Sequence, residues 1–161
     1  ARGDAGKAKL APSLVDMGKL VDEVVEELKI LAEEKSQTLS TSFQQDVGAK
    51  VDKDTIRLAL SNILHNAILY TQEGGKVEVH TAQAENGTAV IDIIDNGPGI
   101  PEAERTRVFE RFYRVDKVRS RAEGGAGLGL AIARWAVEAN GGSIAFRNDN
   151  ASGTHCRVIL P

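Results

Sequence analysis

The sequence predicts an α+β protein, a two-layer α/β sandwich in which three main helices cover one face of a mixed, mostly antiparallel sheet. Three observations carry this expectation. Helical stretches and short strand-like runs are interspersed without a regular strand–helix–strand alternation. Asn86-Gly87 separates two apolar-rich runs and marks a hairpin, because both residues tolerate positive φ. The 161 residues make one domain's length, enough to bury roughly two-thirds of the unfolded surface.

Residues 1–16 read as a tail or the end of a connection from an upstream domain, and 17–161 as the folded domain. From Met17 the pattern is helical. Met17, Leu20, Val21, Val24, Leu28 and Leu31 recur at three- and four-residue spacings, with Asp16 or Ser13 as the cap. Thr38 to Phe43 reads as a short strand. Asp52 and Asp54 open a second helix, where its positive end favours carboxylates. Ile56, Leu60, Ile63, Leu64 and Ala67 form the apolar face of that helix, which runs to about Thr71 and stops at Glu73-Gly74-Gly75. Lys76 to Ala82 and Thr88 to Asp95 read as the hairpin strands. A glycine-rich turn, Asp95 to Gly99, follows, and a short helix is expected from Pro101. Leu128 to Asn140 is the last helix, ended by Gly141-Gly142. Ser143 to Arg147 and Thr154 to Leu160 close the chain as strands.

Composition removes several function classes. The net charge of −3 and a pI near 5.7 disfavour nonspecific contact with nucleic acid or anionic lipid. Aromatics at 4% leave no stacking platform for single strands. One cysteine, Cys156, excludes an intrachain disulfide and a cysteine-rich zinc site. No stretch has the length of a transmembrane helix, so direct membrane contact is not expected. The first residues show no signal peptide and no initiator Met, and read as the cut or processed end of a longer protein.

Three features carry chemistry. Asn62 and Asn66 share a helix face with Leu58 and Tyr70, away from the apolar face. Two asparagines stacked among leucines are either plain exposed polar residues or an oxygen pair for a cation or phosphates; an amide oxygen is a hard neutral ligand suited to Mg²⁺. Asp95 ends the apolar run Val90-Ile91-Asp92-Ile93-Ile94 and by alternation faces the same way as Ile91 and Ile93. A carboxylate there either caps the following turn or accepts from a ligand amine such as that of adenine, with Gly97 and Gly99 allowing close approach of a flat base. Gly125-Ala126-Gly127-Leu128-Gly129 leads into a helix, where free N–H groups favour phosphate. It is neither a Walker loop, lacking Gly-Lys-Ser/Thr, nor a dinucleotide fingerprint, since a charged loop precedes it rather than an apolar strand.

Taken together, these segments resemble the catalytic ATP-binding domain of bacterial sensor histidine kinases, in the Bergerat-fold group that includes DNA gyrase and MutL. Leu60 to Ala67 resembles the N box, Asp95 to Ile100 the G1 box, Phe109 to Arg114 the F box and Gly125 to Leu130 the G2 box. Gly153-Thr154 and Leu160-Pro161 resemble the family's last strand. The resemblance implies that Asp95 accepts from adenine N6 with Thr154 nearby, and that Tyr70 flanks the base. It implies nucleotide contacts at Gly97, Gly99, Ile100, Gly125 and Leu130 as well. Asn66 is the implied Mg²⁺ ligand, with Asn62, Gly127, Leu128 and Gly129 about the phosphates. A flexible ATP lid over about 111–125 would bring in Tyr113 and Arg114.

The resemblance also implies what this stretch lacks. The family often has a lysine where this chain has Leu69, so modest ATP affinity is expected. Hydrolytic relatives place a glutamate four before the metal-binding asparagine; Asn62 cannot take a proton, so little ATP hydrolysis is expected. None of His65, His80 and His155 has the sequence context of the family's phosphoacceptor, and each is expected to be partly exposed. The implied acceptor is a histidine on a separate dimerisation domain of the same protein, with a response regulator as partner of the whole kinase. The whole protein is expected at a membrane, with this part on the cytoplasmic side and monomeric alone. The competing readings are an interaction module that binds nucleotide without phosphotransfer, and a serine kinase of the anti-sigma type.

Overall fold

The computed structural model describes residues 9–110, 129–147 and 153–161. In chain order the elements are β1 (Ser13–Asp16), α1 (Met17–Glu34), β2 (Thr38–Phe43), β3 (Gly48–Val51), α2 (Lys53–Tyr70), β4 (Lys76–Gln83) and β5 (Ala89–Asp95). Two 3₁₀ turns (Glu102–Glu104 and Arg107–Phe109), α3 (Gly129–Ala139), β6 (Ser143–Arg147) and β7 (Thr154–Leu160) follow. Five strands form one sheet in the order β2-β4-β5-β7-β6, and β1 and β3 form a separate two-stranded ribbon. Every neighbouring pair is antiparallel except β2 with β4. The two-layer α+β expectation therefore holds.

The core lies between the sheet and the helices. α1 buries Met17, Leu20, Val21, Val24, Val25 and Ala32, while Leu28 and Leu31 pack at its margin. All five residues expected on the apolar face of α2 are buried. Strand β5 is buried at every second residue, from Ala89 through Ile91 and Ile93 to Asp95. Each fully buried Ile, Leu, Val or Met of this core contributes roughly 1.5–3 kcal/mol by leaving water.

Both long helices start on an aspartate. Asp16 accepts from the Lys19 amide at 3.1 Å, and Asp52 accepts from the Asp54 amide at 3.0 Å. Asn140, just past α3, ties the helices together. Its Oδ1 accepts from the Asp52 amide at 2.7 Å, and its Nδ2 donates to Thr55 Oγ1 at 2.9 Å.

Four expectations change. Ser13–Asp16, assigned to the tail, form a strand whose Val15 is buried, so the ordered fold starts before Met17. Gly48–Val51 is a further strand, with no counterpart among the expected elements. In the hairpin only Gly87 has positive φ, at 89°; Asn86 instead accepts from the Thr88 amide and hydroxyl at 3.1 and 2.7 Å. After Pro101 there are two 3₁₀ turns rather than a helix. Among the described residues, no helix is long and apolar enough to cross a membrane.

Candidate nucleotide site

Asp95 is the most unusual residue of the sheet. It sits at the end of β5 on the core face and is only 8% exposed. The Gly97 amide donates to its Oδ1 at 2.9 Å. Across the sheet it is in register with Thr154. Burial pushes its pKa up to about 6, against the pull of the Gly97 and Thr154 amides and the fully buried Thr71 hydroxyl. The turn-capping role is thus present.

The turn after Asp95 is wedged between the end of α2 and the start of β7. A Cβ at Gly97 would lie 3.0 Å from Asp95 Oδ1, 3.1 Å from Tyr70 O and 3.3 Å from the Thr71 Cα. Gly99 has φ of +82°, and a Cβ there would lie 2.9 Å from Gly153 O. Gly153 in turn lies against the Asp95 carbonyl too closely for any side chain. Hence the strand end, the turn and the last strand share one closely packed junction.

The asparagine face of α2 runs away from this junction. Tyr70, Asn66 and Asn62 are half-buried along it, and Leu58 is exposed. Asn62 Nδ2 donates to Leu58 O at 3.0 Å. Its Oδ1 would lie 3.5 Å from a Cβ at Gly129, the first residue of α3. The positive end of α3 is therefore held over the asparagine face. Leu130 and Ile100 are half-buried. Tyr113, Arg114, Gly125, Gly127 and Leu128, together with the lid over 111–125, lie outside the described residues.

The histidines need one correction. His65 is exposed and His80 lies 3.0 Å from Glu78, but His155 is buried, 8% exposed, with Nε2 2.7 Å from Asp92 Oδ1. Arg157 donates to the same carboxylate at 2.8 and 3.2 Å, and the pKa of Asp92 is lowered: these bonds and charges outweigh burial. Alternation puts all three on the sheet face away from the helices, where Asp92 and Arg157 face each other in register. Among the described residues, no group of three or more His, Cys, Asp or Glu is placed to hold a metal ion. A metal here would rely on neutral amide oxygen and on the ligand's own oxygens.

This fold and site define a class. Residues 51–161 match the family of histidine kinase-, DNA gyrase B- and HSP90-like ATPases, and the chain belongs to it. Among curated relatives, it is 34% identical over 148 residues to the sensor histidine kinase WalK of Bacillus subtilis (strain 168), covering 91% of this chain and 24% of WalK. It is 34% identical over 147 residues to the sensor-like histidine kinase SenX3 of Mycolicibacterium smegmatis, covering 91% of this chain and 38% of SenX3. The chain thus spans a minor part of these relatives. Among solved structures, the mycobacterial sensor histidine kinase MprB aligns with TM-score 0.82 at 30% identity, over 94% of this chain and 97% of that one. ShkA, solved full-length in complex with AMPPNP, aligns with TM-score 0.82 at 28% identity, over 95% of this chain and 31% of that one.

Proposed function

We propose that this chain binds Mg-ATP and presents its γ-phosphate to a histidine on a separate dimerisation domain of a two-component sensor kinase. The observation that carries the reading is the layout along α2. At one end a buried carboxylate, Asp95, waits beside a close-packed glycine turn; at the other, the start of α3 lies against Asn62. A base fits the first end and phosphates fit the second. ShkA, a relative of similar fold, was solved with AMPPNP, which supports this assignment.

Asp95 accepts from the adenine amine, Thr154 stands across from it, and Tyr70 flanks the base. Asn66 would hold Mg²⁺ through its amide oxygen, one helical turn from Asn62. The ion would supply charge neutralisation between phosphate oxygens. Gly127, Leu128 and Gly129 take the phosphates, and Tyr113 and Arg114 close over them. Transfer by positioning suits a chain with no base at Asn62. For the whole protein we infer a response regulator as partner and a membrane location, with this domain on the cytoplasmic side.

Calorimetric titration with a non-hydrolysable ATP analogue, with and without Mg²⁺, tests the reading. Magnesium-dependent binding with a dissociation constant above the micromolar mark, lost in Asp95→Asn, is the expected result. No binding by the unmodified chain would sink it. Transfer is then read by adding the isolated histidine domain; nucleotide bound but never transferred would leave an interaction module.

A further inference from the structure

The turn from α1 into β2 grips the last turn of α2, and we propose that Lys35 and Gln37 are positioning residues for the adenine pocket. The inference rests on the nucleotide-binding reading and deepens it. An α-helix ends with four carbonyls that have no partner within the helix. In α2 the Thr71 amide takes Ala67 O at 3.1 Å. The helix has no glycine at its C-cap and no basic residue in its last turn. Two side chains from another element meet the carbonyls of Ile68 and Leu69 and that of the cap residue Thr71. Lys35 Nζ donates to Ile68 O at 3.1 Å and to Leu69 O at 2.8 Å. Gln37 Nε2 donates to Ile68 O at 3.0 Å and to Thr71 O at 2.9 Å. The backbones are joined as well, Gly74 N to Lys35 O and Thr38 N to Gly75 O, both at 2.9 Å.

The clamp is one backbone layer from the pocket. Gly97 packs on Tyr70 O and the Thr71 Cα, and its amide holds Asp95 Oδ1. A shift of Tyr70 and Thr71 by a few tenths of an ångström moves Gly97, and Gly97 moves the carboxylate that reads the base. Lys35 also sets a positive charge at the negative end of α2, where Leu69 brings none.

Stability alone does not account for Gln37. It is 8% exposed, and its Oε1 has no hydrogen-bond partner among the described residues, so the side chain carries an uncompensated acceptor. Leucine at 37 removes that acceptor along with the two donors. It also leaves Thr71 O without that donor, so a purely structural role predicts a general loss of stability, whereas a positioning role predicts a displaced α2 terminus with the sheet centre intact.

The test uses the whole chain as unmodified protein, Gln37→Leu, Lys35→Met and Lys35→Arg. Affinities for the ATP analogue with Mg²⁺ and for ADP without it are measured by calorimetry. Amide hydrogen exchange of Gly97 and of Ile93, at the sheet centre, is measured by NMR on the ligand-free chains. Gln37→Leu and Lys35→Met are expected to weaken both ligands equally, by about tenfold, since the defect lies at the base. Lys35→Arg keeps two donors and restores affinity. Gly97 exchange is expected to rise about tenfold while Ile93 keeps its rate. Unchanged affinity with unchanged Gly97 exchange overturns the proposal, as does a parallel rise at Gly97 and Ile93, which reports plain destabilisation. If Gln37→Leu fails to fold, the two Lys35 variants decide. If the unmodified chain binds neither ligand, the nucleotide reading falls, and Gly97 exchange alone decides the clamp.

Discussion

Asp95 keeps its carboxylate almost wholly out of water, with a pKa near 6 against the ordinary 3.8. Between those values the folded chain holds a proton that the unfolded chain has lost, so stability falls as pH rises through this window. Above about pH 6 the full cost stands, up to about 3 kcal/mol for a shift of this size. Asp95→Asn is therefore expected to melt roughly 5 °C higher than the unmodified chain at pH 7, while losing nucleotide binding. Calorimetric scans should show that advantage fading as pH drops from 6 towards 4. Binding should have the opposite trend. Affinity for the ATP analogue is expected to fall as pH drops through 6, where the carboxylate gains its proton; a flat profile from pH 5 to 8 would remove Asp95 from the base site. At the phosphate end, Asn62→Glu places a proton acceptor beside the start of α3 and is expected to raise ATP hydrolysis in a phosphate-release assay. Alternation along β5 made Asp95 legible in the sequence. Lys35 and Gln37 were not legible, because their partners are backbone carbonyls over thirty residues away and leave no mark on local pattern.

At the scale of elements, α2 acts as the site's ruler, and its two ends are held from outside. Asn140 holds the first end through the Asp52 amide and Thr55 Oγ1, and also donates to Ala136 O at 2.8 Å. It thereby sets how far α3 slides along α2, and so where Gly129 sits over Asn62. Asn140→Ala is expected to cost about 2 kcal/mol, read as a melting point several degrees lower. It should weaken a triphosphate more than adenosine, because the displaced element is the phosphate end. Equal losses for both ligands would contradict this. Elements with a local signature were readable: β2, β6 and β7 have the expected bounds. β1 and β3 were not, since each is four residues long and each gains its burial by pairing with the other across the sequence. The alternation of Val47, Ala49 and Val51, all buried, was the one available signal for β3.

The described helices lie on one side of the five-stranded sheet, and the candidate site runs from the β5–β7 junction along α2 to the start of α3. The described part of this plan was readable before any geometry, because the N box falls on α2 and the G1 box on the turn after β5. What the boxes do not carry is closeness. That Gly153 abuts the Asp95 carbonyl follows only from the antiparallel register of β7 on β5, which joins segments nearly sixty residues apart.

That register has a consequence for how the protein comes into being. β7 is the last of the described strands, yet it sits inside the sheet, with β5 on one side and β6 on the other. A chain leaving the ribosome from its N-terminus can zip β4 to β5 at once, since a short loop joins them. β6 has nothing to pair with until β7 emerges, and Asp95 has no Thr154 across from it. If the proposed site holds, nucleotide acts on chains that already contain β7 and is no scaffold for the earlier steps. Nascent chains stalled before Gly153 are expected to bind no ATP analogue, and those carrying β7 clear of the ribosome to bind it.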